Sequence, residues 1–284
     1  MNNLEKFIPF KQAFSSLINY AKEQNFENIE TIKWIMVKVL RLKREQFDKI
    51  ARVSETQLDN MKIALKRHIN GESLSKIFGF IEFYGNFFNV TENVFDPRLS
   101  TETIIDAVLK NYDNKNLNIR AIDLCTGSGC IAITLSKLLK ISVDAVDFSP
   151  LALEIALENN KNIGANVSFI EMDLNNNWND YFKTKYDIIV SNPPYWNSSK
   201  ILSNSEVVKN NPISGFDGGE DGLHFIKLII NNAPNHLTKN GQIFLEIDPD
   251  QEDTIKQLLT PNFKDIKTYL DYRKIVRVIS AKLK

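Results

Sequence analysis

The chain has 284 residues, 43% of them apolar, and its 35 Lys and Arg side chains are matched by 35 Asp and Glu. That length accommodates one large domain plus a small one, while a formal net charge of zero argues against the broad phosphate-binding surface on which bulk nucleic-acid binders rely. No run approaches the roughly 18 apolar residues of a membrane span, and the opening MNNLEKFIPF mixes charged with apolar side chains, so the starting expectation is a soluble, cytoplasmic, monomeric protein.

From about Leu4 to Ile69 apolar residues recur at helical spacing and no strand stands out. Phe14, Leu17, Ile18 and Ala21 share one face, Ile35, Val39 and Leu42 another, and Leu58, Met61, Ile63 and Leu65 a third. Residues 1–74 are therefore expected to form a small helical domain. Its excess of Lys and Arg between Lys33 and His68 reads first as a solvated helix face and second as a partner surface. From Gly79 to Phe95 the sequence GFIEFYGNFFNVTENVF turns aromatic and β-branched, with Gly and Asn between, which predicts a hairpin bridging two domains within residues 75–98. After DPRLSTE a helix is expected over IIDAVLKNY, with Ser100 or Thr101 as its N-cap.

Residues 99–284 then alternate. Strands near Ile119–Leu124, Ser142–Val146, Val167–Met172, Tyr186–Ser191 and Gln242–Ile247 are separated by helical runs such as GCIAITLSKLLK and SPLALEIALENNKNI. Such alternation gives an α/β fold, here a Rossmann-like, mostly parallel sheet with ligand sites at the carboxyl ends of its strands. The tail, DIKTYLDYRKIVRVISAKLK, has room for two strands and no helix between them, hence an antiparallel edge pair.

The chemistry-bearing residues fall at strand ends. Asp123 closes one strand, and Cys125, Thr126, Gly127, Ser128 and Gly129 form a small-residue loop opening into a helix. Gly127 and Gly129 have no Cβ and can adopt φ > 0, which lets backbone approach a ligand, although the same turn also serves tight packing. Asp147 ends the next strand about 20 residues on, where an acid takes a ribose hydroxyl pair. Together they point to a nucleoside-type cofactor. TGSGCIA lacks the third glycine of a dinucleotide fingerprint and no GK[ST] loop is present, so the cofactor is expected to carry no phosphates. S-adenosylmethionine fits, with its methionine end on the glycine loop, its ribose on Asp147 and its adenine near Asp173 and Leu174. Cys125 and Cys130 stand too close for a useful disulfide and lack metal-ligand spacing, so reduced thiols and no metal are expected. His68, His224 and His236 are scattered and are read as surface or packing residues.

DLCTGSGCIAI, the strand-end Asp147 and NPPY resemble the class I methyltransferases that modify planar amide or amine nitrogens. GFIEFYG with DPRLSTE upstream, and DGGEDGL, LEIDPDQ and DYRKIVRV downstream, narrow the likeness to the protein-glutamine methyltransferase family known as PrmC or HemK, from about Leu74 onward. The resemblance implies methylation of the side-chain nitrogen (N5) of the glutamine in the Gly-Gly-Gln motif of peptide chain release factors, with S-adenosylhomocysteine as product. A ribosomal-protein glutamine and a nucleic-acid adenine N6 are the alternative acceptors. STE after DPR favours the release factor over the first, and the balanced charge disfavours the second.

NPPY then acquires a task. A carboxamide lone pair is delocalised into its carbonyl, so the site must orient the nitrogen rather than merely collect it. The side-chain oxygen of Asn192 and the main-chain carbonyl of Pro193 are expected to accept one N–H each, with Pro193 and Pro194 stiffening the chain. Tyr195 offers a flat face for the amide, Trp196 a wall, and Asn192 also borders the cofactor. Three positions depart from the family pattern: Cys125 where many relatives carry Gly, Asn211 where Glu commonly precedes the proline at 212, and Asp248 where Gly commonly follows LEI.

Overall fold

The structure, a computed structural model, describes residues 5–42, 44–112, 119–204, 208–209 and 211–284. The first four residues of the expected helical domain and Lys43 of its basic stretch lie outside the described residues. The chain divides into two compact units, Met1–Gly79 and Phe80–Lys284.

The smaller unit runs β1 (Phe7–Pro9), α1 (Phe10–Glu23), α2 (Ile29–Val39), a 3-10 turn (Arg44–Lys49), β2 (Arg52–Ser54), α3 (Glu55–Ile69) and α4 (Leu74–Phe78). Its core gathers Leu17, Ile35, Met36, Met61 and Leu65 with the small Ala13 and Ala21. Ser54 and Gln57 close a capping box that starts α3. Two expectations fail here. Ile63 is 57% exposed, because α3 buries Leu58, Met61 and Leu65 at helical spacing and position 63 falls outside that stripe. The segment also contains a strand pair: β1 and β2 run antiparallel with Ile8 opposite Val53. Three-residue strands carry too few positions to display a period of two.

The larger unit begins with the hairpin β3 (Phe80–Phe83) and β4 (Asn86–Asn89), followed by a 3-10 turn (Leu99–Thr101) and α5 (Glu102–Asn111). The hairpin is part of this unit's core rather than a free bridge, since Phe83 and Phe88 are buried with Ile104 and Val108 of α5. The expected N-cap is replaced by the 3-10 turn: Thr101 has helical dihedrals and makes no capping hydrogen bond.

Then follow β5 (Ala121–Leu124), α6 (Cys130–Leu139), β6 (Val143–Asp147), α7 (Pro150–Ile163), β7 (Val167–Glu171), α8 (Trp178–Tyr181) and β8 (Tyr186–Ser191). After α9 (Ser198–Ser203) come α10 (His224–His236), β9 (Leu237–Glu246), α11 (Glu252–Leu259), β10 (Phe263–Leu270) and β11 (Val276–Leu283). The described strands of the main sheet lie in the order β10-β11-β9-β8-β5-β6-β7. The pairs from β9 through β8, β5 and β6 to β7 are parallel, and β11 runs antiparallel to both β9 and β10. The expected antiparallel edge pair is present: β10 is outermost and β11 joins it to β9. The strand expected near Gln242 starts earlier, where Leu237 pairs with Tyr186 before a register shift.

Both sheet faces are covered, which is why the parallel strands read as continuous apolar runs. Ile189 and Leu245 face α10 and α11, packing with Ile226, Ile229 and Ile255. Ile188, Val190 and Phe244 face the other way, toward α5 and α6. His236 is buried against the tilted ring of Trp178 and the edge-on ring of Phe182, and burial lowers its pKa. No described helix is long and apolar enough to cross a membrane.

Candidate active site

The carboxyl ends of β5, β6, β7 and β8 open on one cavity of about 570 Å³. At the first, Leu124 leads into Cys125 and the turn to α6. Cys125 (φ 60°), Gly127 (φ 54°) and Gly129 (φ 80°) all occupy the left-handed region, in which glycine is the least strained residue. Asp123 is fully buried and holds this loop, accepting from the Thr126 hydroxyl at 2.6 Å and from the Ala132 N–H at 3.2 Å. Burial outweighs these bonds and pushes its carboxyl up to about 7. From below, Asn159 of α7 donates to the Ser128 carbonyl at 2.9 Å and to the Asn89 carbonyl at 3.0 Å, linking the loop to the hairpin.

Cys125, Thr126, Gly127 and Ser128 line the cavity, whereas Gly129 does not. A Cβ on Gly129 would lie 2.9 Å from Ile133 Cδ1 and 3.2 Å from Ala156 Cβ. Its smallness serves the close approach of α6 and α7. A Cβ on Gly127 would meet nothing within 4 Å. Asp147 lines the cavity with its oxygens partly engaged, Oδ2 accepting from the Gly127 N–H at 2.8 Å and Oδ1 from the Ser149 N–H at 3.0 Å. Its carboxyl is raised, burial being the main cause. Asp173 and Leu174 border the same space, as do Phe148, Met172 and Phe225. Phe148, 55% exposed directly after the strand-end acid, is an aromatic face that the sequence reading passed over.

At the end of β8, Asn192 and Pro194 line the cavity, while Pro193 and Tyr195 stand behind the lining. The Tyr195 hydroxyl donates to Glu246 Oε1 at 3.0 Å. Burial, then the neighbouring Glu246 charge, holds the phenol well above its ordinary range, so Tyr195 stays protonated. The Asn192 amide Nδ2 donates to Thr101 Oγ1 at 3.3 Å. The sequence offered Thr101 only as a helix cap and did not single out Glu246, because they reach NPPY from the turn before α5 and from the end of β9. Trp196 does not line the cavity. Its ring lies tilted against Phe216 with centroids 4.8 Å apart, and its backbone N–H donates to the Phe216 carbonyl at 2.8 Å.

The glycines of DGGEDGL grip this loop. A Cβ on Gly218 would stand 2.8 Å from the Pro194 carbonyl oxygen, and one on Gly222 would stand 2.5 Å from that of Tyr195. The Gln251 side chain spans the two segments, donating to the Tyr195 carbonyl at 3.0 Å and to the Gly222 carbonyl at 3.1 Å. The departures from the family pattern are accommodated locally. Asn211 Oδ1 accepts from the Asp96 N–H at 2.7 Å. Asp248 caps the turn before α11, closing a capping box with Gln251, and pairs with Lys200 of α9.

Residues 101–210 match the family model described as "Methyltransferase small domain". A solved methyltransferase from Pyrococcus furiosus superposes on 76% of this chain and 96% of its own with a TM-score of 0.53 at 16% identity, a likeness of fold. Among curated proteins, a release factor glutamine methyltransferase of Geobacter sulfurreducens is 33% identical over 273 residues, 93% of each chain. Its counterpart from Thermodesulfovibrio yellowstonii is 33% identical over 258 residues, 89% of this chain and 91% of that one. With a third of its residues shared along nine-tenths of such relatives, and with the glycine loop, strand-end acid and NPPY gathered on one cavity, the chain belongs to the release factor glutamine methyltransferase family.

Proposed function

We propose that the protein transfers the methyl group of S-adenosylmethionine to the side-chain nitrogen of the glutamine in the Gly-Gly-Gln motif of peptide chain release factors. The observation that carries this reading is the placement of the Asn192 amide in the wall of the same cavity as the Thr126–Ser128 loop and Asp147. The residues present fit such a cofactor. The Gly127 position opens on free space, Asp123 Oδ1 is buried without a hydrogen-bond partner, and each Asp147 oxygen retains a lone pair beyond its backbone bond. Cys125 to Ser128 would hold the amino-acid end, Asp147 the ribose, and Asp173, Leu174 and Phe148 the base.

S-adenosylmethionine supplies an electrophilic methyl group on a sulfonium sulfur. Asn192 and the Pro193 carbonyl accept the two amide hydrogens of the glutamine, so its nitrogen is held with one face toward the cofactor end of the cavity. Tyr195, anchored on Glu246, offers its ring beside them. No strong base is needed, because the alkylated amide loses its proton readily, and the protonated Tyr195 does not supply one. On this reading the enzyme works in the cytoplasm, as a monomer without stable nucleic-acid binding.

The test is Asn192→Ala, assayed with labelled S-adenosylmethionine against release factor, ribosomal protein and DNA in parallel. Loss of one positioned polar group costs on the order of 2.7–4 kcal/mol in the transition state, so turnover on release factor should fall 100- to 1,000-fold with cofactor affinity little changed. Wild-type turnover by the variant, or preferential labelling of ribosomal protein or DNA by the wild type, overturns the reading.

A further inference from the structure

We propose that Asn159 is a positioning residue for the cofactor: its buried amide pins two separate stretches of the S-adenosylmethionine cavity's lining to α7, the 125–128 loop directly and residues 92–97 through Asn89. This rests on the cavity being the S-adenosylmethionine site and is independent of the reading of Asn192.

Asn159 is 1% exposed and does not itself line the cavity. A primary amide has two protons to donate and an oxygen that accepts, and here all three go to backbone groups distant along the chain. One proton goes to the Ser128 carbonyl at 2.9 Å and the other to the Asn89 carbonyl at 3.0 Å. The oxygen accepts the Asn89 N–H at 2.7 Å, so the side chain engages both backbone groups of Asn89 as a neighbouring strand would. The orientation is forced. Reversing the amide would set its oxygen against two carbonyls that have no proton to give.

Each end of this bridge leads into the lining. The planar peptide between Ser128 and Gly129 is held at both poles, its carbonyl by Asn159 and its N–H by the Thr126 carbonyl at 2.9 Å, which fixes the direction in which the turn closes. Thr126, Gly127 and Ser128 of that turn line the cavity. At the other end Asn89 closes β4, and three residues on, Glu92, Asn93, Val94 and Phe95 line the same cavity. Val90 and Val94 pack with Ala152 and Ile155 of α7. Apolar contact is non-directional, so it keeps this segment close to the helix without setting its register, which the Asn159 bonds supply. Asn89 Nδ2 also donates to Glu158 Oε1 at 2.9 Å, but that bond is exposed to competing water. Removing the Asn159 amide would leave the Ser128 carbonyl without this donor in a buried place, and the loop would have to move to find another.

The experiment has two arms, both in the full chain. In the wild type, hydrogen exchange of the Asn89 amide is followed with and without S-adenosylmethionine. Asn89 does not line the cavity, so a cofactor that orders the loop reaches it through Asn159. Its exchange should slow about fivefold more than that of amides in the β10–β11 ladder, which report global stabilisation by the ligand. In Asn159→Leu, which nearly keeps the volume and removes the amide, the calorimetric Kd for S-adenosylmethionine should rise about tenfold or more once thermal melting has verified folding. At saturating cofactor and release factor its kcat should stay within about threefold of wild type, because the reacting groups on NPPY are held by other elements. Equal slowing at Asn89 and in the ladder, or an unchanged Kd in the folded variant, overturns the proposal. A kcat loss as large as the loss of affinity also overturns it, since the disturbance would then extend beyond the cofactor. If Asn159→Leu does not fold, the exchange arm decides alone. A wild type that binds no S-adenosylmethionine sinks the cofactor reading and this proposal together, whereas every other adverse outcome leaves that reading intact.

Discussion

Gly127 and Gly129 stand one residue apart in the same loop and answer to different forces. Both have positive φ, so an L side chain at either is strained by roughly 1–2 kcal/mol. Only at Gly129 would the new methyl also meet Ile133 and Ala156, at 2.9 and 3.2 Å. Gly129→Ala should therefore lose a further 1–3 kcal/mol or so of overpacking in urea unfolding. Gly127→Ala should unfold closer to wild type but bind S-adenosylmethionine more weakly in calorimetry, because its methyl enters the cavity. Equal unfolding losses would show that the helix contact at Gly129 relaxes without cost. The sequence made both glycines visible as a loop signal yet did not separate the one that lines the cavity from the one that lets α6 approach α7. That distinction depends on Ala156, more than twenty residues downstream.

At the scale of elements, the alternation of strands and helices was legible because a parallel sheet buried on both faces needs apolar runs of strand length. The strand-end acids follow from the same topology. What escaped the sequence was contact between elements distant along the chain. The 3-10 turn before α5 reads as a helix cap until its Thr101 is seen beside Asn192. The β1–β2 ribbon escaped for a different reason, its three-residue strands being too short to display an alternation. The DGGEDGL segment belongs to the first group, since its glycines make sense only against the NPPY backbone. A Cβ on Gly222, at φ 73°, would stand 2.5 Å from the Tyr195 carbonyl and 2.8 Å from Gln251 Nε2, the donor that ties the two segments. Gly222→Ala should displace NPPY and lower kcat by tenfold or more, with cofactor affinity nearly unchanged because the glycine loop and Asp147 lie elsewhere. Gly219→Ala is the control, having a similar φ of 84° but only His224 Cβ at 3.2 Å in the way. Similar kcat values in the two variants would show that backbone strain, not the grip on Tyr195, is what matters.

At the scale of the whole molecule, the two units have separate apolar cores. The cluster around Leu17, Ile35 and Met61 draws its members from Ile8 to Phe78. The clusters on the two sheet faces and the small one around Val90 draw theirs from Ile81 onward. A cut between Gly79 and Phe80 consequently divides no core, and the residues lining the cavity, from Glu92 to Phe225, all fall in the larger unit. We therefore expect residues 80–284 to fold alone and to bind S-adenosylmethionine with an affinity within a few-fold of the full chain. The smaller unit is proposed to recognise the protein substrate. Its described residues between Lys33 and His68 carry an excess of basic side chains, of which Lys33 pairs with Glu30 and Arg67 with Glu72. Rim charges of this kind act mainly on association rate and its salt dependence. The truncated protein should accordingly methylate whole release factor with kcat/KM reduced at least tenfold, and should lack the steep decline with added salt expected of the full chain. Calorimetry with the cofactor verifies that the fragment is folded, and methylation measured across a salt series decides the rest. Full-chain kcat/KM and salt dependence in the folded fragment would remove the smaller unit from substrate recognition.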